Sequence, residues 1–317
     1  MISRRLIRIK IVQVLYANVT GEISSIDKSD KEFQLSIRKT FDLYHYLILL
    51  LLQTVDYIAD RNEIARNKIL PTQTDLHPNT RLIDNKVILQ LRNIEQFQNY
   101  VSTFKLSFTD YPELIKRLYQ KILDSDYYKQ YMENPVCDYN NDKQFVIDVF
   151  ANEFEDWELL YQILEEQSIY WNDDIEFVVS MIIKTLDKFK ETKSHPALMD
   201  LYKNDEDQEF GKILLRKSLL KQKEYRQLVE KYTKNWELDR IAMMDILIIV
   251  TALTEITEFP SIPVKVTLNE YIEIAKFYST LKSNEFINGI LDKIVVDLRK
   301  DNKIIKTGRG LMGETIS

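Results

Sequence analysis

"IAMMDILIIVTALTEI", residues 241–256, is apolar on nearly every side when wound as a helix at ~100° per residue. A globular chain hides such a helix at the centre of a bundle, so the stretch predicts an all-α fold with the other helices packed around it. A charge near its start breaks the pattern. Asp245 is a charge set among Met244, Ile246 and Leu247, and it must be paired inside the protein or face a partner. Arg240, or a group on another helix, is the structural candidate for that pairing.

Composition agrees with a large helical core. A chain of 317 residues, 45% hydrophobic and with a net charge of -6, buries a core without covalent staples. The single cysteine, Cys137, excludes a disulfide framework and a multi-cysteine metal site and fits a reducing compartment. Only six glycines occur, with none between Gly21 and Gly211. That gap leaves no glycine-rich phosphate loop, dinucleotide fingerprint or nucleophile elbow in the span. His45, His77 and His195 are isolated from one another, and His45, amid leucines, reads as a core residue. Cys137 follows Pro135 in a polar loop with no evident base. No catalytic group, metal or cofactor is therefore expected, and the chain does not read as an enzyme. The start, "MISRRLIRIKIVQVLYA", mixes charges into its apolar stretch and lacks a small-residue cleavage site. The longest apolar run, "YHYLILLLLQ", falls short of the ~20 residues a bilayer needs, so a cytoplasmic location is expected.

Along the chain the helix signals divide into an N-terminal pair of helices (1–66), a helical and acidic middle region (67–204), a C-terminal helical subdomain (205–298) and a flexible basic tail (299–317). The first helix spans about Ser3 to Val19 and the second about Lys31 to Arg66. In the middle region Pro71, Pro78, Pro112, Pro135 and Pro196 mark boundaries between helices. From Asp138 to Glu176 it carries twelve acids and one lysine, with Phe145, Phe150, Phe154, Trp157, Leu160, Tyr161 and Leu164 at helical spacing. An amphipathic bundle with a solvated acidic face and a docking surface for a basic protein both fit that pattern. Near the C-terminus, Thr267 and Glu270 have the spacing of a capping box. In "NEFINGILDKI", residues 284–294, the Asn288-Gly289 turn signal loses to apolar residues in helical phase, with Ser283 as the helix cap. Gly289 then costs ~1 kcal/mol relative to Ala, which predicts a packing notch against the helix holding Ile246 to Leu253, with Asn288 bonding across it.

The binding features lie at the two ends. The first twenty residues hold Arg4, Arg5, Arg8 and Lys10 and no acid, a sign reversal in an acidic chain. Arg4, Arg5 and Arg8 fall within one third of a helix circumference, with Tyr16 two to three turns along the same edge. Guanidiniums beside an aromatic suit single-stranded RNA, gripped by phosphate contacts and base stacking. A solubilising N-terminal turn accounts for the same residues. A second basic stretch, Lys293 to Arg309, reads as the start of a disordered terminus.

"RRLIRIKIVQVLYA" at the start, with "WELDRIAMMDILIIVTALTEI", "PVKVTLNEYIEIAKFYS" and "SNEFINGILDKI" at the end, resembles the NusB family of bacterial transcription antitermination factors in order and spacing. The resemblance covers residues 3–20 and 205–296 and is closest to the extended members of the family. It implies an all-α, NusB-like bundle of two subdomains with an inserted helical middle region and no enzymatic activity. It further implies pairing with NusE, a small-subunit ribosomal protein, and binding of boxA RNA by that heterodimer in ribosomal RNA operons. By position it assigns RNA contacts to Arg4, Arg5 and Arg8, brings in Lys282 and Phe286 from the loop before the last helix, and places Asp245 against NusE. Leu6, Ile9 and Lys282 depart from the residues common in relatives, which puts RNA preference in question. Two other functions fit less of the chain: the RNA-binding front domain of a cytosine methyltransferase, and a protein-binding helical scaffold. Self-association is not legible.

Overall fold

Ser3 opens the first helix, α1 (Arg4–Val19), by accepting a hydrogen bond on its hydroxyl from the Leu6 amide at 3.2 Å. Helices then follow one another to the C-terminus; the structure, a computed structural model, describes residues 1–23, 25–193, 196–233, 241–280 and 282–312. The fold is all-α. Fourteen α-helices and no strand occur among the described residues, with one isolated bridge between Ile2 and Tyr202. No described helix is long and apolar enough to cross a membrane.

Two compact units divide the chain. One comprises Met1 with Arg38–Leu201 and the other Ile2–Ile37 with Tyr202–Ser317. The boundaries fall inside α2 (Ile26–Arg66) and at residues 201/202, whereas the sequence places the first break at residue 66. Proline and polarity mark where a helix ends, but a continuous helix that changes partners midway leaves no such mark.

The 38–201 unit holds the rest of α2 with α3 (Gln73–Leu76), α4 (Lys86–Arg92), α5 (Glu95–Phe104), α6 (Pro112–Asp124), α7 (Asp126–Glu133), α8 (Tyr139–Glu153), α9 (Glu158–Gln167) and α10 (Ile175–Asp187). The all-apolar centre of α2, Leu47 to Leu52, is buried in this core, as are Phe145, Phe150, Phe154, Trp157, Leu160 and Leu164. The acidic stretch is not simply a solvated face. Asp142 is buried and accepts from the Tyr131 hydroxyl at 2.8 Å and the Lys86 amide at 2.9 Å, and buried Asp174 accepts from Thr40 at 2.5 Å. His45 is fully buried, its Nδ1 against the Phe41 carbonyl at 2.9 Å and its ring stacked on Tyr100 at 3.9 Å. His195 lies outside the described residues.

The other unit is built from α1, the start of α2, α11 (Asp205–Tyr232), α12 (Met243–Glu258), α13 (Val264–Tyr278) and α14 (Ser283–Lys300). Every residue of α12 from Asp245 to Ile256 is buried, which is what its all-round apolarity predicts. Helix α11 starts on an Asn204 cap, with Asp205, Glu206 and Asp207 in the first turn complementing the helix dipole. Gly211 sits where an added Cβ would meet the Phe33 ring at 2.8 Å, so the glycine lets α2 pass close.

Several local expectations change. Helix α2 begins at Ile26, five residues before the sequence estimate. Helix α13 begins at Val264 behind Pro263, so Thr267 and Glu270 lie inside it and form no capping box. At α14 the cap position is Lys282 with no side-chain bond, and the Ser283 hydroxyl is spent on Asp245. Gly289 is exposed and an added Cβ would meet nothing within 4 Å, so there is no packing notch; Asn288 donates to Asp292 on its own helix, at 3.3 Å. Nothing in the structure requires a glycine there. The described part of the tail is docked, not disordered. The Thr307 amide and the Lys306 ammonium bond to the Pro260 and Phe259 carbonyls, each at 3.0 Å, and Ile304 packs on Ile256, Val264 and Val295. Its basic composition hid this, because the groups it satisfies are backbone carbonyls of the α12–α13 turn, which no sequence pattern announces.

Candidate nucleic-acid interface

The basic face of α1 is divided by burial. Arg5 is half-exposed and forms a two-pronged pair with Glu270 of α13, both bonds 2.8 Å. Arg8, 3% exposed, turns inward and clamps Glu255 of α12 at 2.7 and 2.8 Å. Glu255 is wholly buried and also accepts from the Thr267 hydroxyl at 2.8 Å and the Tyr271 hydroxyl at 3.2 Å. Every oxygen of this buried carboxylate is thus occupied, as a desolvated charge requires. Burial pulls the Arg8 pKa down, but the Glu255 bonds more than offset it and raise the guanidinium above its ordinary value. The Arg5 hydrogen bonds hold the Glu270 carboxyl below the usual carboxylate range. Arg4 pairs with Asp207 and Glu206 at 2.7 Å each. The guanidiniums of Arg4 and Arg8 both lie over the Phe210 ring, at 5.1 and 5.3 Å.

The three arginines therefore act as one network through Glu270 and Phe210, yet only Arg5 and part of Arg4 face solvent. Arg8 and Lys10 are corrections to the expected RNA face: both are buried, because α1 packs on both α11 and α12 with about two thirds of its circumference covered. The outward stripe of α1 runs Arg5, Ile9, Gln13, Tyr16, with Tyr16 41% exposed.

A second locus gathers at the α13–α14 loop. Asp245, 5% exposed, accepts hydrogen bonds from the hydroxyls of Ser279 and of Ser283, the latter at 2.9 Å. Its carboxylate thereby ties the loop to α12; Arg240, the other candidate for pairing, lies outside the described residues. Lys282 and Phe286 flank the Ser283 anchor, Lys282 exposed and Phe286 half-buried.

Phe277 is the residue that sequence reasoning missed. It is 81% exposed, and at ~100° per residue it stands within ~20° of Glu270, the residue that meets Arg5. The signal was present: Val264, Thr267, Tyr271, Ile274 and Ala275 set the buried phase of α13, and Phe277 falls outside it. The clasping roles of Glu255 and Glu270 were not legible, since acids that pair and acids that are solvated look alike in sequence.

The Glu270 carboxylate fills the Nε–Nη2 edge of Arg5 and holds the guanidinium in place, so a phosphate would meet its other, Nη1–Nη2 edge. Exposed Tyr16 and Phe277 offer π-faces on which unpaired bases stack. The charge distribution favours the same unit: residues 38–201 carry 27 acids against 18 Lys/Arg, and the remainder 22 against 25. Among the described residues no group of three or more His, Cys, Asp or Glu is placed to hold a metal ion.

The NusB family model matches residues 158–296. That range includes α9 and α10, which the sequence reading assigned to the insertion, and leaves out α1. "Transcription antitermination protein NusB" of Salinibacter ruber is 43% identical over 112 residues, covering 34% of this chain and 70% of the relative. The proteins of the same name from Chloroherpeton thalassium and Natranaerobius thermophilus are each 43% identical, over 84 and 72 residues. Those matches cover 26% and 23% of this chain and 40% and 52% of the relatives, so the chain spans about half the length of these two. No solved structure matches. With α11, α12, α13 and most of α14 inside the matched range and more than two thirds of the Salinibacter ruber protein covered, the chain belongs to the NusB family.

Proposed function

We propose that the protein is a transcription antitermination factor that binds boxA-like single-stranded RNA together with NusE and supports ribosomal RNA transcription. The observation that carries this is a half-exposed Arg5 forked by Glu270, with exposed Tyr16 on the same outward stripe of α1 and exposed Phe277 on the Glu270 side of α13. Phosphate engages Arg5 and Arg4, bases stack on the aromatics, and Lys282 and Phe286 extend the contact from the loop that Asp245 anchors. Arg8 acts from beneath by fixing α1 on α12 through Glu255. The relatives bear the name of antitermination proteins, which supports the same assignment. No catalysis is required of any of these groups. Fluorescence titration of boxA-like RNA, with and without NusE, tests the proposal at moderate salt. Weak binding alone and much tighter binding with NusE is the expected outcome; no binding in either case sinks it.

A second reading, a protein-interaction scaffold with incidental RNA binding, draws on the 38–201 unit. There Ile69 and Leu70, in a turn held by the Thr72–Asp75 capping box, are almost wholly exposed. RNA affinity indifferent to salt and to Arg5→Ala would favour it.

A further inference from the structure

The docked tail continues into a turn that its attachment does not require. Ile304 packs on Ile256, Val264 and Val295, while the Lys306 ammonium and the Thr307 amide donate to the Phe259 and Pro260 carbonyls. Those contacts hold the segment. Beyond them the chain closes a single 3-10 turn, Gly308–Leu311, in which the Gly310 amide donates to the Thr307 carbonyl at 2.9 Å and the Met312 amide to the Arg309 carbonyl at 3.1 Å. Both of its glycines are needed. Gly308 has φ +53°, in the left-handed region, and a Cβ on Gly310 would overlap the Pro260 carbonyl oxygen. Arg309, between them, is exposed and stands on a fixed backbone.

The turn lies beside the arginines of α1. Pro260, against which it packs, follows Phe259, and the Phe259 ring meets the Phe210 ring at 5.0 Å between centroids. Phe210 is the ring over which Arg4 and Arg8 lie. The Arg309 charge reaches the same cluster: the Glu206 carboxyl is held below its ordinary range first by the Arg4 hydrogen bond and further by Arg309. All of these groups belong to one compact unit.

The arginines at this end of the unit differ in the donors they have left. Arg4 spends Nε and Nη2 on Asp207 and Glu206, Arg5 spends the same pair on Glu270, and Arg8 on Glu255. The Arg309 side chain has no hydrogen bond or ion pair among the described residues, so both edges of its guanidinium are open. A planar fork on a backbone that is already ordered takes a phosphate through two bonds at little entropic cost. A cation serving only solubility needs neither the positive φ of Gly308 nor the close approach of Gly310.

We infer that Arg309 is a phosphate ligand of the bound RNA, presented by the Gly308–Leu311 turn as an extension of the Arg4 end of the α1 interface. This rests on the RNA reading above and adds a residue of the tail to it. The occupant is RNA phosphate and not an acidic protein because Arg309 shares its carboxylate neighbour, Glu206, with Arg4, which engages phosphate in that reading. Such a contact positions the strand and reads no base.

The test measures the salt dependence of boxA-like RNA binding by the full chain with NusE. Wild type is compared with Arg309→Gln, Arg309→Lys, Gly310→Ala and, as a charge control on exposed α14 surface, Lys293→Gln. Arg309→Gln lowers the slope of log affinity against log salt by about 0.7, the loss of one phosphate contact on a single strand. Arg309→Lys keeps the slope but binds more weakly, because an ammonium is a point charge without the planar fork. Lys293→Gln matches wild type. Tryptic cleavage at Lys303 and Lys306 stays at the wild-type rate in Arg309→Gln, whereas Gly310→Ala, which releases the turn, reproduces the lowered slope. An unchanged slope in Arg309→Gln overturns the proposal, and a fall in NusE affinity in its place assigns Arg309 to an acidic protein surface. Faster cleavage in Arg309→Gln also overturns it, by making Arg309 a latch for the tail. Failure of wild type to bind the RNA instead refutes the function proposed above, so the two failures are distinguishable.

Discussion

Removing the Arg8 side chain separates a buried clasp from a ligand-binding arginine. In Arg8→Ala the Glu255 carboxylate keeps the Thr267 and Tyr271 hydroxyls but loses two charge-assisted bonds and the cation it pairs with among the described residues, while remaining fully buried. Breaking a buried pair from one side costs about 3–5 kcal/mol, because the surviving charge is left desolvated. Arg5→Ala removes a pair whose arginine is half in water and costs about 0–1 kcal/mol. The difference is about two to five kcal/mol between neighbouring arginines of one helix. Hydrogen exchange of the α12 amides is the assay of choice: it reads opening of this unit, whereas Trp157 and Trp171 report on the other. Arg8→Met with Glu255→Leu removes both charges together and recovers most of the loss. The reasoning is refuted if Arg8→Ala changes α12 protection by less than about 1 kcal/mol while abolishing RNA binding, because Arg8 would then be a ligand and not a clasp.

Burial lowers the His45 pKa to about 4, against 6.5 for the free side chain. The unfolded chain therefore takes up this proton first, so stability is full above about pH 6.5 and falls by up to about 3 kcal/mol as pH drops to 4. Urea denaturation across that window shows the slope, and His45→Phe removes this part of it; a slope unaffected by the substitution refutes the assignment. Gly289→Ala stabilises by about 1 kcal/mol in thermal unfolding, since the site is helical and open. Gly310→Ala frees the tail, because the new Cβ would lie 1.9 Å from the Pro260 carbonyl oxygen; faster tryptic cleavage at Lys303 and Lys306 is the readout. Asp245→Asn retains one oxygen for the two serine hydroxyls and costs about 1–3 kcal/mol, with NusE affinity falling only as far as the loop loosens. Loss of NusE binding at unchanged stability would show Asp245 to be a direct contact.

Periodicity carried the helical class, the burial of residues 245–256 and of the aromatics around Phe150, and the helix breaks at Pro112 and Pro135, because these depend on local phase and on proline's missing donor. Charge and aromatic placement along α1 pointed to Arg4, Arg5, Arg8, Lys10 and Tyr16 alike, of which Arg8 and Lys10 are buried. What the residues alone left undecided is which charge meets which. Arg5 and Arg8 are indistinguishable in type and lie three residues apart, yet one is a surface fork and the other a buried clamp, according to where α12 and α13 cross α1. The same holds for Asp245, whose partners are 34 and 38 residues away, and for the tail, which docks on the carbonyls of a distant turn. Local phase is set by covalent spacing and is written in the chain. The pairing of buried charges is set by desolvation, which exists only once the helices have closed over them.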